Sequence, residues 1–245
     1  MYRFAKVPKL ISAYNNILLK AFGTDVISRL GLHALVFKAG QRLEMPGQPI
    51  KHVYFLESGM ASMTTIFADG REVEVGMFGY ESMIGVSALI GTKTNLYHIY
   101  TQIEGTGYRC TLEAAKKEFD NHGIFQELAL RYVQALLVQF MQSAGCAAMH
   151  NSEQRLSRWL LISADRSHFE SFKMSQEFLS HMLGSTRPTV SLVAGILKKE
   201  NLITYTRGQV RILDRKGLEK RSCECYRIIT SYLADYAAFD SLHMA

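Results

Sequence analysis

Arg187, Thr189 and Ser191, followed at the far end by Lys198 and Lys199, form the polar side of a short amphipathic segment. Guanidinium, hydroxyl and ammonium groups in this arrangement suit hydrogen bonding to base edges and ion pairing with phosphates. The opposite side of the segment, Val190, Val193, Ile196 and Leu197, is expected to be buried. Just upstream, Ser175 reads as the N-cap of a first helix whose apolar residues Phe178, Leu179, Met182 and Leu183 fall on one face. Gly184 is placed to stop that helix in a left-handed conformation. Ser185 or Thr186 is placed to cap the second helix, with Pro188 in its first turn. Residues 174–203 therefore predict two short helices around a tight turn, a helix-turn-helix.

Other reactive side chains are poorly grouped. The chain has eight histidines but no H-x-H pair, which a cupin-like metal centre in a β-barrel would need. His52 and His98 read as strand residues, with a haem- or metal-ligand role for His98 as the alternative. Cys110 and Cys146 read as small core residues, and Cys223 and Cys225 as a C-x-C pair on one helix. Residues two apart do not share a helix face, so that pair makes a poor metal site without help. There is no nucleophile elbow, P-loop or paired-glycine fingerprint. No catalytic residue, metal or cofactor is expected.

Net charge supports the nucleic-acid reading once it is divided along the chain. Residues 151–221 hold 13 lysines and arginines against seven acids, while the rest holds 15 of each. The whole excess of +6 thus surrounds the helix-turn-helix, where attraction to phosphates would require it. The chain is 245 residues long and 48% hydrophobic, enough for one good core or two modest ones. No apolar run reaches the roughly 20 residues of a membrane span. The N-terminal stretch reads as no signal peptide, and four cysteines in a chain of this length form no disulfide framework. The expected location is the cytoplasm.

Several elements must position the motif. Residues up to about Leu30 show helical spacing at Leu10, Tyr14, Ile17, Leu18 and Phe22. Short apolar segments then alternate with glycine turns. Residues 53–56, 61–67, 72–75, 97–103 and 106–110 read as strands, with an Asp69-Gly70 hairpin. This pattern predicts a jelly-roll-type barrel. A short helix over 111–119 and a long one over about 125–149 follow. In the long helix Leu130, Val133, Leu137, Phe140, Ala144 and Ala147 are spaced alternately by three and four, a coiled-coil seam. Leu136 and Met141 lie off that line and are expected on the barrel. The seam has a competing reading as one buried helix of a monomer core. Residues 153–164 predict a helix holding Trp159 in the core, 165–173 a polar loop, and 203–206 with 209–213 a two-stranded wing around Arg207-Gly208. A final helix is expected over about 216–239.

Barrel, seam helix and winged helix-turn-helix together resemble the CRP/FNR family of bacterial transcription regulators. The resemblance covers roughly residues 35–218. Residues 174–203 are similar to the family signature L-T-Q-E-x-L-A-x-x-L-G-x-S-R-x-T-V-S. Gly59-Met60-Ala61-Ser62, Val73-Glu74-Val75-Gly76 and Cys223-Glu224-Cys225-Tyr226 are similar to one branch of it. The resemblance implies an α+β fold: an N-terminal helix and sensor barrel over 1–122, a dimerisation helix over 123–150, the winged domain over 151–221 and a helical extension over 222–245.

It also implies a homodimer on double-stranded DNA, with recognition helices in successive major grooves about 34 Å apart. Of the family's base-reading residues only Arg187 and Ser191 carry over, since Pro188 replaces the glutamate and Leu192 the last arginine. Ser175, Gln176 and Thr189 are placed to touch phosphates, with Lys198 and Arg207 at longer reach. RNA polymerase is an implied partner, and the 165–173 loop a candidate contact. The family's cyclic-nucleotide cassette is absent: Val86 follows Gly85 where a glutamate belongs, and Asn95-Leu96-Tyr97-His98 replaces R-[ST]-A. An N-terminal iron–sulfur cluster lacks its cysteines, the first being Cys110. The expectation is a transcription regulator whose effector is unknown or absent, controlled by a ligand- or partner-driven shift of the seam helices or, with no effector, constitutively competent and controlled by its expression level. The alternative is a metal- or haem-dependent sensor or cupin-like enzyme with an accessory DNA-binding domain.

Overall fold

The glycine-punctuated stretch folds into two antiparallel sheets in the computed structural model, which describes residues 13–237. Leu10 lies outside the described residues. The chain enters through α1 (Ile17–Ala21), capped by Asn16, and α2 (Gly23–Leu30). The strands are β1 (His33–Phe37), β2 (Arg42–Glu44), β3 (His52–Leu56), β4 (Met60–Ile66), β5 (Glu72–Phe78), β6 (His98–Ile103) and β7 (Gly105–Thr111). One sheet has the order β1-β7-β3 and the other β2-β6-β4-β5. Asp69-Gly70 turns β4 into β5, and a register shift between Met63 and Thr64 bends that ribbon. Phe37, Val53, Phe55, Phe78, Ile99 and Cys110 fill the space between the sheets and α1–α2.

α3 (Leu112–Asp120), capped by Thr111, leads into α4 (Ile124–Met149), a helix of 26 residues. Phe125, Leu128, Ala129, Tyr132 and Ala135 bury one face of α4 in the barrel core. The expected seam splits. Leu130 and Leu137 are exposed (48% and 54%), as are Ala144 and Ala147, but Val133 packs on the barrel core and Phe140 is half-buried. Gly76 explains Phe140: a Cβ there would lie 2.3 Å from the ring, so only glycine lets it rest on β5. Met141, expected on the barrel, is instead 66% exposed. The open line of α4 therefore runs Leu130, Gln134, Leu137, Met141, Ala144 and Ala148. Leu136 packs against the core as expected.

The second core surrounds Trp159 of α5 (Ser152–Ser167), a helix opened by an Asn151–Gln154 capping box. The region expected as a loop over 165–173 is more ordered than its polar composition suggested. Asp165 to Ser167 complete α5, and β8 (Ser171–Lys173) adds a third strand to the wing sheet, in the order β8-β10-β9. Phe172 supplies the buried anchor. Then come α6 (Gln176–Met182), α7 (Arg187–Lys199), β9 (Ile203–Thr206) and β10 (Gln209–Ile212).

The single last helix expected over 216–239 is two: α8 (Arg215–Arg221), capped by Asp214, and α9 (Cys225–Ala237). Ser222 adopts an extended conformation between them and so ends α8. The end of that expected helix, Phe239, lies outside the described residues. Arg215 ion-pairs with Asp165, with Glu170 (3.1 Å) and with Glu219 (3.4 Å). Tyr226 hydrogen-bonds to Asp165 (3.0 Å) and accepts from Arg215 (2.9 Å), fastening α9 to the winged domain.

Polar groups join barrel and winged domain. Trp159 Nε1 donates to the Glu74 carboxylate of β5 at 2.8 Å. Arg166 pairs with Glu81 at 3.0 Å, both nearly inaccessible, and donates to the Met77 carbonyl at 2.7 Å. Gln139 of α4 donates to the same carbonyl at 3.1 Å. No helix among the described residues is long and apolar enough to cross a membrane.

Candidate nucleic-acid interface

Local chemistry fixes the α6–α7 unit. The Ser175 hydroxyl accepts from Phe178 N at 3.0 Å. α6 ends with Gly184 at φ 53°, Gly184 N bonding to the His181 carbonyl (3.0 Å) and Ser185 N to that of Ser180 (2.9 Å). These two bonds are a Schellman stop, and they satisfy carbonyls that the helix end would leave open. Of the two candidate caps for α7, Thr186 is the one used: it accepts from Thr189 N at 3.4 Å, and the two threonine hydroxyls share a bond of 2.8 Å. Pro188 sits in the first turn.

α7 buries Val190, Val193, Ala194 and Leu197. Ile196, expected in that stripe, is exposed, because Ala194 takes the inward position. The outward face is mixed. Arg187, Lys198 and Lys199 are exposed and enter no ion pair among the described residues. Between them lies an apolar ridge of Pro188, Leu192 (67% exposed) and Ile196 at spacings of four. Ser191 is half-buried and donates to Gln176 Oε1 at 2.6 Å, so these two residues lock α6 to α7. Its oxygen still has accepting capacity, but its proton is committed.

In the wing, Arg207 and Gly208 both have positive φ (52° and 75°), as a tight primed hairpin turn needs. Arg207 is exposed and forms no ion pair among the described residues. Gly208 O accepts from Met174 N at 2.6 Å, and Tyr205 OH donates to Met174 O at 2.9 Å, so the wing is tied to the start of α6. Burial pushes the Tyr205 phenol up, and the Arg187 charge nearby partly offsets this. In contrast Arg155, Arg166, Arg215 and Arg221 are spent on internal contacts: the Leu183 carbonyl, Glu81, the Asp165 group, and Glu153 with Glu200. Much of the free positive charge around the motif is therefore on α7 and the wing.

In the barrel, a cavity of about 250 Å³ opens between the cassette loop and α4. Its wall includes Met83, Gly85, Val86, Leu96, Val133 and Phe140, with Glu44, Asn95 and the hydroxyl residues Ser87, Thr92 and Tyr97 as polar groups and no lysine or arginine. Burial pushes the Glu44 carboxyl up to about 7, although Asn95 donates to it. Neither the carboxylate nor the arginine expected for a cyclic nucleotide stands in the cassette itself. His52 and His98 join no cluster of three or more metal-binding side chains among the described residues.

Cys146, His150, Cys223 and Cys225, however, converge: their ligand atoms all lie within 4.8 Å of one another. The C-x-C pair straddles the start of α9 instead of lying within one helix, so the objection about faces does not apply. The signal available in the sequence was Cys146-x₃-His150, one turn apart on a helix. It could not be joined to Cys223 and Cys225 without the tertiary structure.

A capped helix pair with an exposed basic face and a wing, carried beside a jelly-roll barrel on a long helix, defines a DNA-binding transcription regulator of the sensor-barrel class. Comparison with known proteins agrees. Residues 154–221 match the Crp-like helix-turn-helix domain, and residues 34–122 match the cyclic nucleotide-binding domain. The chain is 24% identical to a global nitrogen regulator of Synechocystis over 213 residues, which cover 80% of this chain and 93% of that one. It has the fold of FixK2 from Bradyrhizobium japonicum (TM-score 0.67, 15% identity, 79% and 98% of the two chains). It also has that of a CRP-family regulator from Thermus thermophilus (0.65, 21%, 77% and 96%). The two domain matches together span more than half of the chain, which belongs to the CRP/FNR family of transcription regulators. These matches support the regulator reading over the enzyme or haem-sensor alternative.

Proposed function

We propose that the protein acts in the cytoplasm as a homodimer that reads a two-fold operator, with Arg187 as the principal base reader. The exposed outer face of α7 carries this reading: one unpaired arginine beside an apolar ridge. Arg187 presents two donors to guanine O6 and N7, a contact that discriminates by about 1–3 kcal/mol. Leu192 and Pro188 offer methyl and methylene surface, which suits thymine methyl groups and cannot accept from cytosine. Ser191 contributes as an acceptor, since its hydroxyl proton is given to Gln176. Thr189, Ser175 and Gln176 lie near the phosphates, and Lys198 and Arg207 add longer-range attraction.

The dimer forms along the open line of α4, with Leu130, Leu137, Met141 and Ala144 at its centre, while Val133 and Phe140 stay with the barrel. The sensor barrel ends near 122, the dimerisation helix spans 123–150, and the winged domain 151–221 carries the 222–245 extension. RNA polymerase is a further partner, contacted from the exposed edge around 168–171. The cavity against Val133 and Phe140 is the place where a small molecule would shift α4. Its lining favours an uncharged, largely apolar ligand over a phosphate. Genome-wide binding-site mapping tests the operator reading, with wild type and Arg187→Ala compared. Loss of preference at one guanine position is expected; an unchanged motif would overturn the assignment of Arg187.

A further inference from the structure

We propose that Cys146, His150, Cys223 and Cys225 form a Cys₃His site for a single Zn²⁺ ion, independent of the DNA-reading surface. α4 contributes Cys146 on its last turn and His150 as its C-cap, four residues on and so on the same side. Cys223 and Cys225 come from the α8–α9 junction, 77 residues beyond Cys146. The Cys146 and Cys223 sulfurs are 3.5 Å apart, and Cys225 Sγ is 3.5 Å from His150 Nδ1. With Zn–S of about 2.3 Å and Zn–N of about 2.0–2.1 Å, a tetrahedron has S–S edges near 3.8 Å and S–N edges near 3.6 Å. The four donors already have nearly that spacing. A four-iron cluster holds its cysteine sulfurs much farther apart than the 4.8 Å limit of this group, so a mononuclear ion is the match.

Outer contacts are those of a built metal site. His150 Nε2 lies 3.2 Å from the Glu224 carboxylate, the carboxylate–histidine pairing that leaves Nδ1 free to bind a metal. Gln142 Nε2 donates to Cys225 Sγ at 3.0 Å, an N–H···S bond that steadies a thiolate. The three thiols release three protons on binding, leaving the site with one net negative charge. Arg155 and Arg158 lie within electrostatic reach of Cys146 to balance it. All three cysteines are buried, and they form a small core cluster of their own. Zinc here ties the end of the long helix to the helix that follows the winged domain. It would fix the angle at which the DNA-binding domain leaves α4.

The test uses the full-length protein purified without chelator. Metal analysis should give one zinc per chain. Replacement by Co²⁺ should give thiolate charge-transfer absorption in the near ultraviolet and the intense visible bands of a tetrahedral ion. Cys223→Ser and Cys225→Ser should each lose the stoichiometric metal. Glu224→Gln, on an exposed side chain, should fold normally and bind Zn²⁺ about 10- to 100-fold more weakly. It decides the question if the cysteine variants do not fold. The proposal is overturned by a protein without stoichiometric zinc and with a six-coordinate Co²⁺ spectrum. Iron with acid-labile sulfide, a Cys146–Cys223 disulfide as the native form, or unchanged zinc affinity in Glu224→Gln would equally overturn it.

Discussion

Glu74 joins the two halves of the protein and should make their union pH-dependent. Its carboxylate is enclosed between β5 and α5, accepts from Trp159 Nε1 (2.8 Å) and Ser62 Oγ, and faces Arg158 and Arg166. Burial outweighs those favourable contacts and pushes the group from 4.5 up to about 7. The folded protein therefore keeps a proton that the unfolded chain gives up. The group's stabilising contribution is complete below about 4.5 and is lost as pH rises through about 7. At roughly 1.4 kcal/mol per pH unit the loss by pH 8.5 is on the order of 3 kcal/mol. Glu44 is pushed up to a similar value, so the wild-type curve contains two such terms. Denaturant unfolding of wild type and Glu74→Gln from pH 5 to pH 8.5 isolates the first. The amide does not ionise. Its oxygen can still accept from Trp159 Nε1, while its NH2 must donate to Ser62 Oγ with that hydroxyl turned round. The variant should therefore gain about 2.5 kcal/mol relative to wild type across that range. Parallel pH curves for the two proteins would refute the reasoning, since they would mean that Glu74 titrates as in water.

Other perturbations address the dimer, the DNA surface and the α4–barrel contact. Leu137→Asp, on an exposed residue of α4, should yield a folded monomer by light scattering, and a surviving dimer would place the interface elsewhere. Lys198→Ala should weaken binding evenly across sequences and reduce the salt slope by about one, as filter binding at several salt concentrations would reveal. Thr186→Ala should lower stability by about 1 kcal/mol in thermal unfolding through loss of the α7 cap. Gly76→Ala should cost about 1–3 kcal/mol, because its Cβ meets the Phe140 ring at 2.3 Å; Phe140→Ala in the same chain should recover part of that.

What the sequence determines is local. Ser175, Gly184, Thr186 and Pro188 specify the helix pair because caps and left-handed glycine act within a few residues. Alternation and glycine turns, with Asp69-Gly70 between β4 and β5, mark the strands of the barrel for the same reason. Charge division along the chain points to the right domain without any structure. The decisions left to tertiary structure concern faces and distant partners. α4 is apolar on more than one side, so periodicity could not say which side the barrel takes. The barrel takes the side of Phe125, Leu128, Ala129, Tyr132 and Ala135, Gly76 leaves room for Phe140 beside it, and Met141 faces outward. The same limit hid the ridge of Pro188, Leu192 and Ile196, which depends on Ala194 occupying the inward place. It also hid the four sulfur and nitrogen donors, which lie in two pairs 77 residues apart and meet only because α9 packs along the end of α4.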